Sequence, residues 1–273
     1  VRTMKALAAV SIRQYEHASQ ALDQYTRSLE VAFQAVLNDM PEIISQKPTS
    51  GASDDLAGVI FGSDQGMVGQ FNEDLASFSR ETMDRIQNDR SRRSLFVLGE
   101  RMLLSIQSLQ EHVSGFYNLP GSIDHIVNTV NELLISLDEW RSDRPEGTIM
   151  IFHHRQVSGS RYQPRSERLF PLDYVWLEKL KKRSWPSRGL ASVSGGPESV
   201  FPRLVSEYMF IALHRACIDS LASENASRLA SMQSAEKNIK ERIDDLNTQY
   251  HHRRQSQITS ELLDIVSGYE ALT

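Results

Sequence analysis

The chain has 273 residues, 40% hydrophobic and 24% charged, with 30 Lys and Arg against 35 Asp and Glu. The net charge of -5 argues against a general nucleic-acid binder, and no apolar run approaches the roughly 18 residues that span a bilayer. A single cysteine excludes an internal disulfide framework and any cysteine-only metal cluster, and suits a reducing compartment.

Residues 1–40 contain neither Gly nor Pro, the usual helix breakers, and read as one helix. From Met4, steps of four and three land on Ala8, Ser11, Tyr15, Ala18, Leu22, Tyr25, Leu29, Ala32 and Val36. That is a coiled-coil seam of period 3.5, made weak per heptad by its Ala and Ser. The pattern is already running at Val1, so a further helical segment is expected before it. Pro41 to Asp55 reads as a linker.

Short apolar runs bounded by turn residues follow: Leu56 to Phe61, Ser94 to Leu98 and Thr148 to His153 read as strands. Helical patterns lie between them at about Asn72 to Asn88 and Ile123 to Trp140. This alternation predicts a small α/β layer with a largely parallel sheet. Tyr162 to Leu172 adds an edge strand, the position where its prolines are tolerated. Residues 141–190 carry 11 Lys and Arg against 5 Asp and Glu, a local +6. They read either as a surface for acidic protein or lipid headgroups, or as solvated loops.

Ser184 to Pro202 is a second linker, with Gly195-Gly196-Pro197 a firm break. From Arg203 to Ser267 neither Gly nor Pro occurs; one helix of that length would run on the order of 100 Å. Leu229, Met232, Glu236, Ile239, Ile243, Leu246 and Tyr250 keep the heptad rhythm. After a hop over the polar stretch His251 to Gln257 it resumes at Ile258, Leu262, Ile265, Tyr269 and Leu272. The two long helices are expected to pair as an antiparallel hairpin; the alternative is pairing with another chain. The expected division is 1–46, 56–183 and 198–273, an α/β module inserted between two halves of a coiled coil.

Candidate chemistry is sparse. Gly62, Gly66 and Gly69 follow the first strand and precede a helix, as in loops that turn backbone N–H groups onto a phosphate. Their GxxxGxxG spacing is not GxGxxG, and no Lys-Ser/Thr follows, so a tight strand-to-helix turn is the stronger reading. His153-His154 and His251-His252 are adjacent pairs whose side chains diverge, which argues against a metal site. Cys217 reads as an apolar packer. Asp244-Asp245 reads as a solvated face. No cofactor is expected. The polar, basic run Arg253 to Leu262 falls where the seam slips, which suits a helix tip inserted into a ring of other subunits.

The run from Ser223 to Thr273 resembles the end of the γ subunit of F-type ATP synthases. The matching motifs are Ser223-Glu224-Asn225-Ala226-Ser227-Arg228, Arg254-Gln255-Ser256-Gln257-Ile258-Thr259-Ser260-Glu261-Leu262 and Ile265-Val266-Ser267-Gly268. Ser63-Asp64-Gln65-Gly66-Met67-Val68-Gly69-Gln70-Phe71-Asn72 resembles the family's entry into its α/β domain, and Thr3 to Val10 its first helix. The resemblance implies a long antiparallel coiled coil of the N- and C-terminal helices with an inserted Rossmann-like α/β domain. It implies a rotor that does no bond chemistry itself. Turned by the membrane c-ring, the rotor cycles the catalytic β subunits through their nucleotide states. The implied partners are the α and β subunits of the hexamer, the epsilon subunit and the c-ring. The implied place is peripheral, on the cytoplasmic face of a bacterial plasma membrane. Carried over, Arg254, Gln255, Thr259 and Glu261 contact the hexamer's inner surface, and Met4 and Lys5 lie near the acidic lever loop of β.

There are departures. The family's first helix continues with several basic residues; Ser11 to Glu16 holds only Arg13. The segment before Pro202 lacks the aromatic and acidic residues of the ring-contacting foot. With Cys217 alone, the plant chloroplast redox pair is missing. Together these departures resemble a divergent bacterial branch, of which the Na+-moving type is one; the coupled ion, H+ or Na+, is not written in γ.

Overall fold

The computed structural model describes residues 1–40, 55–158, 161–186, 189, 193 and 196–270. The linker expected from Pro41 falls almost wholly outside them, as do residues 187, 188, 190–192, 194 and 195 of the second linker. Helix α1 (Arg2–Asp39) spans 38 residues and the last helix, α6 (Pro197–Glu270), spans 74, about 110 Å at 1.5 Å per residue. α6 begins inside the expected second linker and runs through Pro202. Pro202 is the sixth residue of the helix, so it forgoes one bond, to the Glu198 carbonyl, close to the helix start.

The two helices pack antiparallel. Phe33 of α1 meets Phe201 and Tyr208 of α6, Asp23 takes Arg215 Nη2 at 2.6 Å, and Lys5 reaches Glu236. The predicted seam is visible in the burial of Ala8, Tyr15, Leu29 and Val36, joined by Phe33 and Leu37. Tyr25, by contrast, is half exposed, its hydroxyl donating to Glu207 at 2.7 Å.

Between the helices lies a sheet of five strands among the described residues: β1 (Leu56–Phe61), β2 (Arg93–Leu98), β3 (Val113–Tyr117), β4 (Thr148–Ser158) and β5 (Arg161–Phe170), in the order β3-β2-β1-β4-β5. β1 pairs parallel with β2 and β4, β2 parallel with β3, and β5 closes the far edge antiparallel to β4. Pro164 sits on that edge strand, as anticipated. β1 is central and all six of its residues are buried, which explains its unbroken apolar run.

Helices α2 (Phe71–Ile86) and α3 (Glu100–Ser108) cover one face; α4 (Ile123–Asp143) covers the other. α2 buries Phe71, Leu75, Ser79 and Met83 at intervals of four, a one-sided stripe. The short α5 (Tyr174–Lys182) is capped by Asp173, whose carboxylate accepts from Val175 N at 2.9 Å. α6 lies with α4 on the second face. Ala57, Val59 and Phe61 of β1, Ile126 to Trp140 of α4, and Met209 to Ala222 of α6 form one continuous core. Module and hairpin therefore share their apolar interior.

Candidate partner-binding surface

The glycine loop after β1 is built for close packing. A Cβ on Gly62 would stand 2.2 Å from Met102 Cβ, and Gly69 has a φ of +59°. Ser63 N donates to Asn72 Oδ1 at 3.0 Å, and Asn72 Nδ2 donates back to Ser63 Oγ at 2.9 Å. Asp64 accepts from Glu100 N at 3.0 Å and from Leu119 N at 3.1 Å. A carboxylate of the chain itself thus serves the α3 N-terminus.

A doubly wound sheet takes its ligand where the strand order reverses, here between β1 and β4. α6 fills that crevice. Ser220 Oγ donates to Phe61 O at 2.9 Å and Ser227 Oγ to Val68 O at 2.6 Å. Glu224, between them, is buried against Arg228, and burial raises its carboxyl above the usual range. A cleft of about 680 Å3 lies beside the loop between α2 and α3; Glu73 and Arg101 both line it, so it offers no net positive charge to a phosphate. Gly62 and Gly69 thus serve the strand-to-helix turn.

The histidines are structural as well. His153 Nδ1 lies 3.1 Å from the carbonyl oxygen of His154, and His154 Nε2 2.7 Å from that of Phe71. Burial pulls His154 down to about 4. Cys217 is buried and its thiol is pushed up by burial, the opposite of an activated nucleophile.

The candidate surface is the far part of α6. Every side chain from Lys237 to Ser267 is exposed, whereas Met232 is buried. Glu236 is the last α6 residue tied to α1, through Lys5 and, at 3.9 Å, Arg2. Beyond it Ile239, Ile243, Leu246 and Tyr250 continue the seam with α1 no longer opposite, each at least half exposed. The hop of eight residues to Ile258 turns the second stripe, with Leu262 and Ile265, about 80° further round the helix.

Arg254, Gln255, Thr259 and Glu261 lie together on this exposed length. Thr259 Oγ1 donates to Gln255 O at 2.9 Å and Gln257 Nε2 to Glu261 Oε1 at 3.1 Å, bonds within the helix that leave its sides to solvent. Met4 is partly exposed near the start of α1, beside the more exposed Leu7 and Val10. Lys5 is engaged with Glu236. Met4 and Lys5 therefore sit at one level of the shaft, and the other four residues further along α6.

A family model described as ATP synthase matches residues 1–272. The chain belongs to the ATP synthase gamma family. It is 23% identical to the ATP synthase gamma chain of a Wolbachia from Brugia malayi, over 99% of this chain and 93% of that one. With the gamma chain of Saccharopolyspora erythraea it shares 28%, over 100% and 89%. Among solved structures, the fold matches a chain from the Tetrahymena thermophila mitochondrial ATP synthase central stalk and c-ring, with a TM-score of 0.58 and 18% identity, over 86% of this chain and 98% of that one. A chain from the Euglena gracilis mitochondrial ATP synthase gives 0.57 and 14%, over 97% and 95%.

Within this gamma-family chain, sequence reasoning missed the serines that seat α6 on the sheet. Ser220 and Ser227 are spaced by one heptad, but Ser223, Glu224 and Asn225 between them hide the signal. It also missed the role of Glu236, a charge in an apolar heptad slot, whose signal needed Lys5 beside it in space.

Proposed function

We propose that this gamma chain is the central-stalk rotor of an F-type ATP synthase, non-catalytic in itself and peripheral to the cytoplasmic face of a bacterial plasma membrane. The three-part division 1–46, 56–183 and 198–273 corresponds to shaft, module and shaft. The tip of α6, with Arg254, Gln255, Thr259 and Glu261, runs inside the hexamer of α and β subunits. Met4 and Lys5 lie at its entrance, and the α/β module meets the epsilon subunit and the c-ring. The observation that carries this reading is the length of α6 beyond Glu236, an exposed helix that keeps an apolar stripe. A stripe of that extent in water is the mark of a surface made for a partner. The description of the Tetrahymena relative within a central stalk and c-ring supports the same assignment.

In a rotor the stiffness of one continuous helix transmits torque, and polar side chains at the tip slide against neighbours that change during a turn. The test is co-expression with the α and β subunits of the same source, followed by size exclusion and an ATPase assay. One copy of this chain per hexamer, raising turnover above that of α and β alone, is the expected result. Gln255→Ala and Thr259→Ala lower that turnover without unfolding the chain. A chain that never associates overturns the rotor assignment; normal turnover in both variants overturns the tip contacts.

A further inference from the structure

We infer that Ser220 and Ser227 form the joint that fixes the orientation of the α/β module on the shaft, an inference that rests on the rotor function proposed above. The apolar core shared by β1, α4 and α6 resists separation, but apolar contact has no direction and lets a helix slide or turn on the surface beneath it. Hydrogen bonds do have direction. Ser220 Oγ to Phe61 O and Ser227 Oγ to Val68 O, at 2.9 and 2.6 Å, hold two successive turns of the chain, one at the end of β1 and one in the glycine loop. Both serines are buried, at 0% and 4% exposure, so water does not compete for the acceptors.

The loop side of the joint is braced in turn. Ser227 Oγ also lies 3.2 Å from the Tyr162 hydroxyl of β5. Tyr162 stands against His154 of β4 at 4.7 Å between ring centroids, and His154 against Phe71 of α2 at 4.2 Å. The glycine loop and β5 thus meet at one hydroxyl of α6, with His154 of β4 and Phe71 of α2 packed behind Tyr162. A further polar link nearby, Arg155 to Asp219 at 3.9 Å, has a half-exposed arginine and is screened by salt. A twist imposed on the module reaches the shaft through the backbone of its most buried strand, and the two serines are where it crosses.

The experiment uses the complete complex in sealed vesicles and compares ATP hydrolysis with ATP-driven ion uptake. Each lost serine bond shifts the seated orientation about tenfold toward disorder. In Ser220→Ala/Ser227→Ala, hydrolysis is expected to stay at the level of the unaltered complex while ion uptake per ATP falls severalfold. Ser227→Thr in the Ser220→Ala background, which returns a hydroxyl, recovers part of the loss. A bead fixed to the module of a stalled complex reports wider angular fluctuation in the double variant. Unchanged uptake per ATP with unchanged fluctuation overturns the joint. So does a parallel fall of hydrolysis and uptake with a lowered melting temperature, because the hydroxyls then serve folding alone. Failure of the unaltered chain to raise hydrolysis by α and β overturns the rotor reading itself, before any variant is compared.

Discussion

Lys5 and Glu236, 231 positions apart in sequence, meet across the antiparallel pair of α1 and α6. Glu236 occupies a heptad position that elsewhere on α6 is apolar, and its carboxylate is the one that Lys5 reaches across the seam. A single polar pair in an apolar seam fixes register better than another leucine would, because any shift leaves a charge unpaired.

Charge reversal at one end, Lys5→Glu or Glu236→Lys, is therefore expected to fray the start of α1, and the double exchange to close it again. Distances between spin labels on Leu7 and Gln233 report the change. The hydrogen bond from Lys5, then its charge, holds the Glu236 carboxyl below its usual 4.5. The pair's contribution is complete above that usual value and is lost as the pH falls through the lowered one. Fraying at acid pH that is equal in the unaltered chain and in Glu236→Gln would contradict the assignment.

His154 sets a second pH dependence, of the opposite chemical kind. Burial lowers it from 6.5 to about 4, so the unfolded chain takes up a proton in that window and the folded chain does not. Stability is whole above pH 6.5 and falls by about 1.4 kcal/mol for each pH unit on the way down to 4. Urea midpoints across this range give the slope. His154→Gln is less stable at neutral pH and shows a flatter profile.

Gly99 is expected to be the least replaceable glycine of the module. Its φ is +101°, and a Cβ there would stand 2.7 Å from the Ser63 carbonyl oxygen, a backbone atom that cannot turn aside. Gly99→Ala costs roughly 2–4 kcal/mol, read as a lowered thermal midpoint by circular dichroism. Gly66→Ala, whose added methyl meets only the Arg101 side chain at 3.7 Å or more, is nearly neutral. Equal losses at the two sites would refute this ordering.

The exposed seam separates folding from assembly. Leu246 and Leu262 are at least half exposed on α6, so Leu246→Asp/Leu262→Asp is expected to leave the melting of the isolated chain within about 0.5 kcal/mol of the unaltered one. The same variant fails to co-elute with the α and β subunits. A fall in melting temperature comparable to a core substitution would mean that these leucines pack within the chain.

The large features were legible in the sequence because each rests on a long or repeated signal. The two breaker-free stretches became α1 and α6, and the uninterrupted apolar run of Leu56 to Phe61 became the central strand. β3 was not seen: it has five residues, and although its burial alternates, Gly115 takes an inward position and Phe116 an outward one, so its sequence shows no alternation. α3 and α5 were missed because nine residues make barely two and a half turns, too few for a period to stand out. The phase slip after Tyr250 was visible, and so were the polar residues that follow it. Where the hairpin ends was not, because that depends on Lys5 finding Glu236 across the fold. Nor could the glycine spacing reveal that α6 itself fills the crevice where a ligand would sit.

The unshielded end of α6 also bears on how the cell must make this chain. A copy released without its companions carries an open row of isoleucine, leucine and tyrosine along a helix that nothing covers, from Ile239 to Ile265. Such a surface invites self-association and offers proteases an extended substrate. Surplus copies are then removed and escorted ones survive, so the number that persists is set by the supply of the subunits that enclose it.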